Sequence, residues 1–379
     1  MDEMEKIGRC HAMDEAFQRT FQDCLLHWYR VHRRALPWRE KRDPYRVWIS
    51  ELMLQQTRVE QMLPYFERFM RIFPNVEALA RAPMDQVLKV WEGMGYYARA
   101  RNMHRAAQQI VRDYRGCIPD TMEEISKLPG IGPYTAAAVL SIAYDKDVPV
   151  LDGNVARILS RLFYVEEDPM RSAVRKNLLK LAESLLPAGQ AAAFNQAMME
   201  LGSLVCTPNA PRCSICPVRA LCRAREAGDP ERLPLKRRRK PKPHYEVSAG
   251  IIWRDGQILI TQRRPEGLLG GLWEFPGGKQ EPGESLESCL QREVQEEVGI
   301  DIRVDRFFLR VNHEYSHFRI TLHAFECAYV EGEPRAIECA NWKWVYPEEL
   351  EQYAFPRADR RILEKLVGKE EHLHLHLFG

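Results

Sequence analysis

Through residue 204 apolar side chains recur every three or four positions, and from Tyr245 onward they alternate or run together in short stretches. These two periods predict a helical region followed by one built on strands. Phe17, Phe21, Leu25, Trp28 and Tyr29 mark a first helix, which Ala35-Leu36-Pro37-Trp38-Arg39 ends. Residues 47–56 are helical by length and propensity, and further helices are predicted over 66–73, 84–91, 134–144 and 155–163. Helices continue to residue 204, the last spanning 193–204 and running straight into Cys206. In the second region 247–253 and 257–261 read as strands joined by an Asp255-Gly256 hairpin turn. Strands at 307–311, 318–328 and 342–345 and a helix at 357–366 complete the pattern. The fold class that follows is an all-α domain and then a smaller α+β domain.

Two features interrupt the helical pattern. Glu51 is the only charged side chain in the apolar run Val-Trp-Ile-Ser-Glu-Leu-Met-Leu-Gln-Gln. Burial disfavours a carboxylate, so a Glu placed there holds its proton nearer neutrality and can donate it; a buried Glu paired with an arginine is the structural alternative. The second feature is Leu128-Pro129-Gly130-Ile131-Gly132-Pro133, followed by an Ala-rich helix and, about twenty residues on, Leu151-Asp152-Gly153-Asn154. Gly130 and Gly132 make a tight turn that another chain can approach closely, and amides beside a helix N-terminus suit a phosphate. Asp152 stands at the mouth of the next helix, where an N-capping Asp is the plainer reading. Gly93-Met94-Gly95-Tyr96-Tyr97 is a glycine-broken turn with adjacent aromatics, and Arg99, Arg101 and Arg105 follow it, a set suited to stacking and phosphate contact.

Charge separates the two regions. The chain has 55 basic and 53 acidic residues, but residues 1–240 hold 38 basic against 29 acidic, leaving 17 against 24 for 241–379. The first region can meet a polyanion, and the second is a different module. Between them 226–243 is a basic, Pro-rich linker containing Lys236-Arg237-Arg238-Arg239-Lys240, expected to lie along DNA backbone. No stretch approaches eighteen uninterrupted apolar residues and no signal-peptide pattern opens the chain, so a soluble, cytoplasmic protein with no membrane partner is expected.

Four of the ten cysteines cluster as Cys206, Cys213, Cys216 and Cys222. Four thiolates this close can enclose one metal centre. A zinc ribbon would normally show two Cys-x-x-Cys knuckles, and here there is one. Farther on, Gly278-x5-Glu284-x7-Arg292-Glu293-Val294-x-Glu296-Glu297-x-Gly299-Ile300 is a complete Nudix box. Glu293, Glu296 and Glu297 share one helical turn and form a hard-oxygen site for Mg2+ at a pyrophosphate; a solvated acidic helix is the alternative.

Residues 16–225 resemble the catalytic region of the adenine DNA glycosylases, the MutY family within the helix-hairpin-helix, endonuclease III-like superfamily. The resemblance rests on WISELMLQQT, GMGYYARARN, LPGIGPYTA, LDGNV and the four-cysteine loop. Residues 244–368 are similar to that family's 8-oxoguanine-reading domain, which shares its fold with the nucleotide hydrolase MutT. Residues 1–15 and 369–379 are left as an extension and a tail. The resemblance implies a base excision repair enzyme, acting as a monomer on double-stranded DNA, that hydrolyses adenine from A:8-oxoguanine or A:G mispairs. It implies that Glu51 protonates adenine and that Asp152 stays ionised to stabilise the sugar cation. Tyr134 and Asn154 orient water and acid, and Gln56 and Tyr96 fill the gap in the base stack. It implies a structural 4Fe–4S cluster on loop 206–222, and reading of 8-oxoguanine by Ser316 and His317 of a Tyr-Ser-His loop.

These glycosylases have usually lost the Nudix box, which here is whole. Arg263 falls at a nucleotide-contacting position of MutT-like enzymes, Glu338 at an extra metal-site position, and Asp359 replaces their base-reading Asn. A bifunctional protein that also hydrolyses 8-oxo-dGTP is therefore one alternative. An endonuclease III-like pyrimidine glycosylase/lyase is another, but its Schiff-base Lys would fall at 134, which is Tyr. A non-catalytic damage sensor would not need Glu51 and Asp152.

Overall fold

The computed structural model describes residues 14–235 and 241–376. The basic run 236–240, the first thirteen residues and residues 377–379 lie outside them. Helices are α1 (Glu15–His32), α2 (Pro44–Leu54), α3 (Val59–Ile72), α4 (Val76–Arg81), α5 (Met84–Trp91), α6 (Ala98–Tyr114), α7 (Met122–Ile125), α8 (Pro133–Tyr144), α9 (Gly153–Leu162), α10 (Ser172–Leu185), α11 (Ala191–Leu204), α12 (Arg223–Glu226), α13 (Leu286–Val298) and α14 (Arg357–His376). Strands are β1 (His244–Arg254), β2 (Gln257–Gln262), β3 (Trp273–Glu274), β4 (Gly277–Lys279), β5 (Asp301–Glu314), β6 (Arg319–Glu331) and β7 (Asn341–Val345). The chain divides into two compact units. One takes the chain up to Phe66, Asn75–Glu77 and Ala106–Arg239; the other takes Glu67–Pro74, Ala78–Arg105 and the chain from Lys240.

In the first unit side-chain caps set where helices begin. Asp14 accepts the Phe17 N–H at 2.7 Å to open α1, and Asp43 accepts the Tyr45 N–H at 3.0 Å to open α2, with Pro44 in its first turn. Phe21 and Leu25 of α1 meet Leu159 of α9, Leu178 of α10 and Leu201 of α11 in one core. Each such side chain contributes about 1.5–3 kcal/mol by leaving water. Cys206, Cys216 and Cys222 pack on the margin of this core. α8 is apolar nearly all round and buried from Thr135 to Ile142, as its Ala-rich sequence predicts. It ends at Asp145, left-handed at φ 56°, where the Asp145 N–H returns to the Leu140 carbonyl.

In the second unit seven strands form one sheet, ordered β3-β2-β1-β6-β5, with β4 pairing β1 and β7 pairing β2. β1 and β6 run parallel and the remaining pairs antiparallel. Alternate residues serve opposite faces. Ile251 and Ile260 pack toward Ile362 and Leu363 of α14, whereas Ile252 and Leu259 pack toward Leu290 and Val294 of α13. The Asp255-Gly256 turn has positive φ at both residues (50° and 77°), as a two-residue hairpin requires. β5 is longer than the 307–311 expected because bulges between 301 and 309 carry the pairing across irregular alternation. α14 runs past 366 to His376, so the His-Leu tail is helical where it is described.

Candidate active site

The catalytic candidates of the first unit converge on one cavity of about 660 Å³. α2 is buried on most sides and carries Glu51 inward, where it is 4% exposed. α8 begins at Pro133, so Tyr134 in its first turn donates its hydroxyl to Glu51 Oε2 at 2.5 Å. Burial pushes Glu51 up to about 7; the Tyr134 hydrogen bond and the Arg39 charge oppose the rise, and the Asp152 charge adds to it. Burial and the two carboxylates keep the Tyr134 phenol well above its ordinary pKa, so it remains a donor.

Asp152 does two things at once. Its Oδ1 accepts the Val155 N–H at 2.7 Å and caps α9, while its Oδ2 accepts the Asn154 amide at 2.9 Å. The plainer capping reading is thus true of one oxygen and leaves the other beside the cavity. Burial raises Asp152 as well, against the Val155 and Asn154 hydrogen bonds and the Arg157 charge, so its ionised form is held by these donors and not by solvent. Arg157 fixes the arrangement from behind: it donates to Asn154 Oδ1 at 2.7 Å, to the Gly202 carbonyl at 2.8 Å and to the Cys206 carbonyl at 2.7 Å. Gly202 of α11 lies against Asn154, and a Cβ at Gly202 would stand 2.6 Å from Asn154 Cβ.

Sequence reasoning missed the opposite wall. Leu36 and Trp38 line the cavity with Glu200, a third carboxylate, which takes Arg34 Nε at 2.9 Å and Arg39 Nη2 at 2.9 Å. Burial works to raise Glu200, and the hydrogen bonds from Arg34 and Arg39 overturn that, to about 2. Its signal was available: like Glu51, it is a lone charge in an apolar helical run, Ala-Met-Met-Glu-Leu-Gly.

In the hairpin before α8, Gly130 is left-handed (φ 76°), but Gly132 has φ −87° and a Cβ there would meet nothing within 4 Å. The expectation that both glycines shape the turn is corrected: only Gly130 does, and nothing inside the protein demands glycine at 132. Gln56 (φ 61°) lies beyond the end of α2 and is exposed. Tyr96 (φ 50°) is 44% exposed, with the Arg99 guanidinium 5.2 Å from its ring. Of the arginines after it, Arg99 and Arg101 are turned to backbone carbonyls, whereas Arg105 is exposed and holds only the Asn102 side chain. Arg99 holds the Met94 and Gly95 carbonyls and Arg101 holds the Gly270 and Gly267 carbonyls, because a glycine turn leaves carbonyls that need donors.

The four cysteines line one small cavity of about 20 Å³ between short 3₁₀ turns. Arg161, 1% exposed, has no carboxylate within reach among the described residues. Its donors go to the Leu233, Thr207 and Pro208 carbonyls and to Cys206 Sγ at 3.2 Å. A buried cation facing sulfur fits thiolates, and burial pushes the free Cys216 thiol up to about 12, so a bound cation is what would deprotonate it. The chemistry of the four thiols suits a metal, but among the described residues no three such side chains stand as a ready-made metal site.

In the second unit Ser316 and His317 are exposed at the tip of the β5–β6 hairpin, while Tyr315 turns inward with its ring 4.9 Å from Phe318. The Nudix carboxylates are not left free on their helical turn, as the spacing alone implied. Arg292 takes Glu284 at 2.8 Å and both Glu293 and Glu296 at 3.0 Å. Glu297 turns the other way, accepts the Gly277 N–H at 3.3 Å, and is pushed well up by burial and by Glu274. Glu338 is exposed, its backbone N–H reaching the Glu297 carbonyl at 3.3 Å. Arg263 pairs with Glu274 at 2.6 Å, and buried Asp359 accepts the Phe275 N–H at 3.3 Å and is raised by burial to about 8.

A buried Glu whose pKa is pushed up to about 7, a tyrosine donor and a second carboxyl at the mouth of a helix, behind a helix-hairpin-helix turn, are the parts of a DNA N-glycosylase of base excision repair. A family model described as HhH-GPD superfamily base excision DNA repair protein matches residues 49–184, and a NUDIX domain model matches 248–365. The human adenine DNA glycosylase is 34% identical over 414 residues, covering 94% of this chain and 76% of that protein. An adenine DNA glycosylase of Buchnera aphidicola is 36% identical over 345 residues, covering 91% and 97%. The solved structure of a thermostable thymine-DNA glycosylase matches 57% of this chain and 100% of its own at 28% identity and a TM-score of 0.52. The chain belongs to the adenine DNA glycosylase family. Among the described residues no helix is long and apolar enough to cross a membrane.

Proposed function

We propose that the protein, acting as a monomer in the cytoplasm, excises adenine paired with 8-oxoguanine or G in double-stranded DNA, by hydrolysis and without a covalent amine intermediate. The observation that carries this reading is the Glu51–Tyr134 hydrogen bond beside Asp152, with Glu51 raised by burial to about 7. An acid poised near neutrality protonates the extruded purine, and its Tyr134 contact fixes which oxygen accepts and which donates. Asp152 stabilises the positive sugar that forms as the base leaves, and Asn154 keeps that carboxylate oriented toward the sugar and the attacking water. Leu36 and Trp38 supply apolar walls suited to a purine, while Glu200, both of its oxygens taken by Arg34 and Arg39, holds those arginines at the cavity wall. Tyr134 stands where a lyase would need an amine, which supports a monofunctional enzyme. At the hairpin, open space at Gly132 supports close approach of DNA phosphate, and exposed Gln56 and Tyr96 suit wedges in the stack. Ser316 and His317, exposed on a hairpin tip, suit reading of the oxidised base.

Cys206, Cys213, Cys216 and Cys222 would hold a 4Fe–4S cluster, which supplies a structural crosslink for the loop and no step of the hydrolysis. The decisive assay is single-turnover cleavage of duplexes carrying A opposite 8-oxoguanine, A opposite G, or thymine glycol. Excision of the first two alone is expected, and release of thymine glycol with strand cleavage would refute the proposal.

A second activity, hydrolysis of an oxidised nucleoside triphosphate, is favoured by one observation. Glu274, Glu293 and Glu297 are all raised above their ordinary value, chiefly by burial and further by neighbouring carboxylates (Glu293 on Glu274, Glu274 and Glu293 on Glu297, Glu296 and Glu284 on Glu293), with Arg263 and Arg292 opposing. Mg2+ bound by Glu293, Glu296 and Glu297, with Glu338 nearby, would relieve that repulsion and polarise a pyrophosphate. Arg263 and Asp359 would then face the nucleotide.

A further inference from the structure

A second cavity, of about 600 Å³, meets the first at Asp152, Tyr134, Asn154 and Arg157. Its other walls differ in kind. Glu51, Trp38 and Glu200 do not line it; Gln55, Gln56, Gly153 and Arg175 line it and not the first, and Arg58 lines both. Asp152 thus stands between a chamber that alone carries the acid Glu51 and the Trp38 wall, its own Arg34 and Arg39 paired with Glu200, and a chamber in which Arg175 and the shared Arg58 have no carboxylate partner among the described residues. A nucleotide turned out of a duplex divides in the same way, into an apolar base and a charged sugar-phosphate.

The arginines of the second chamber are not equivalent. Arg157 is buried and its donors are committed to protein oxygens. Arg58, exposed at the rim of both chambers, has no hydrogen bond or ion pair from its side chain among the described residues. Arg175, exposed on α10, commits one nitrogen to the Leu151 carbonyl at 2.8 Å and leaves the rest of its fork toward the chamber. Leu151 immediately precedes Asp152. An anion bound by Arg175 would therefore be tied to the backbone that carries the catalytic carboxyl.

We propose that Arg58 and Arg175 clamp the two phosphates flanking the extruded nucleotide, and that Arg175 is in addition a positioning residue for Asp152. The proposal rests on the glycosylase reading of the first chamber. The clamp holds the sugar over Asp152 while the base occupies the Glu51 chamber, so that binding energy from the backbone aligns the reacting bond.

The test uses duplexes with A opposite 8-oxoguanine in which one phosphate beside the target adenosine is replaced by an uncharged methylphosphonate. Affinity is measured on a target nucleoside that resists hydrolysis, and single-turnover rate on the natural one. Wild-type protein should lose about tenfold in affinity at either flanking linkage and little at linkages three or more away. Arg58→Gln and Arg175→Gln should each lose about tenfold on unmodified DNA, and lose nothing more when the phosphate they contact is neutralised. Each should lower the slope of log affinity against log salt by about 0.7–0.9. Arg175→Gln should also slow excision at saturating protein, and Arg175→Lys should restore affinity but not rate, because only the fork reaches Leu151 and phosphate together. Losses that multiply, or an unchanged salt slope, overturn the clamp. Should either variant fail to fold, an undiminished affinity of wild-type protein for both flanking methylphosphonates overturns it equally. A wild-type protein that bound the duplex but released no adenine would refute the glycosylase reading, and the clamp would still be decided by the affinities.

Discussion

Replacing Glu51 by Gln should abolish excision and stabilise the protein, increasingly so at higher pH. The side chain is 4% exposed and its pKa stands near 7 in the fold against 4.5 when solvated. Because the folded value is the higher one, the folded state holds the proton more tightly. Glu51 therefore costs nothing below the unfolded pKa, and stability is lost as pH rises from there through 7. With about 1.36 kcal/mol per unit, the cost grows from about 1 kcal/mol at pH 5.5 to about 3 kcal/mol at pH 8. Gln keeps the acceptor for Tyr134 and removes the titration. Thermal unfolding of wild type and Glu51→Gln, followed by circular dichroism at both pH values, should show the variant ahead by a few degrees at pH 5.5 and by two to three times that at pH 8. Single-turnover rates should fall in wild type as pH passes about 7, where the acid gives up its proton. Tyr134→Phe, which deletes the one hydrogen bond favouring the anion, should move that fall to higher pH. A stability gap that is absent, or that does not widen with pH, would refute burial as the source of the acid.

Asp152→Asn should remove excision while leaving affinity for the mispair within about threefold, since the charge it answers exists only in the transition state; a parallel loss of both would make Asp152 a cap alone. Protein purified without oxygen should be brown with about four irons per chain, and Cys213→Ala should lose them; one zinc and no colour would contradict the assignment. Glu296→Gln and Glu297→Gln should each leave adenine excision unchanged and remove any Mg2+-dependent release of 8-oxo-dGMP from 8-oxo-dGTP. An unaffected hydrolysis would place that activity elsewhere.

What could be read from sequence divides along physical lines. Glu51 was legible because a charge inside an apolar helix breaks a local rule; Asp152, a carboxyl at a helix mouth, also fitted a plain N-cap, and Tyr134 was marked only by the family resemblance. The strands of the second unit were legible from alternation, except where bulges in β5 interrupt it. Glu200 obeys the same rule as Glu51 and was still missed, because its meaning depends on Arg34 and Arg39, more than 160 residues earlier. Arg101 looked available for DNA because sequence spacing does not reveal that the Gly270 carbonyl needs its proton. The Nudix glutamates looked like open ligands for the same reason: Arg292 belongs to the motif, but only coordinates show how many of them it occupies.

Gly202 has a genetic consequence. Every codon change away from glycine adds at least a Cβ, and that atom would stand 2.6 Å from Asn154. The position has no mild allele. A substitution there would leave the cysteines, the arginines and both carboxyls in the chain, and yet force apart α11 and the α9 N-terminus that carries Asn154. If the proposed function holds, Gly202→Ala should lose excision out of proportion to affinity for the mispair, checked by single-turnover rate beside binding; equal losses would mean that the clash unfolds the site.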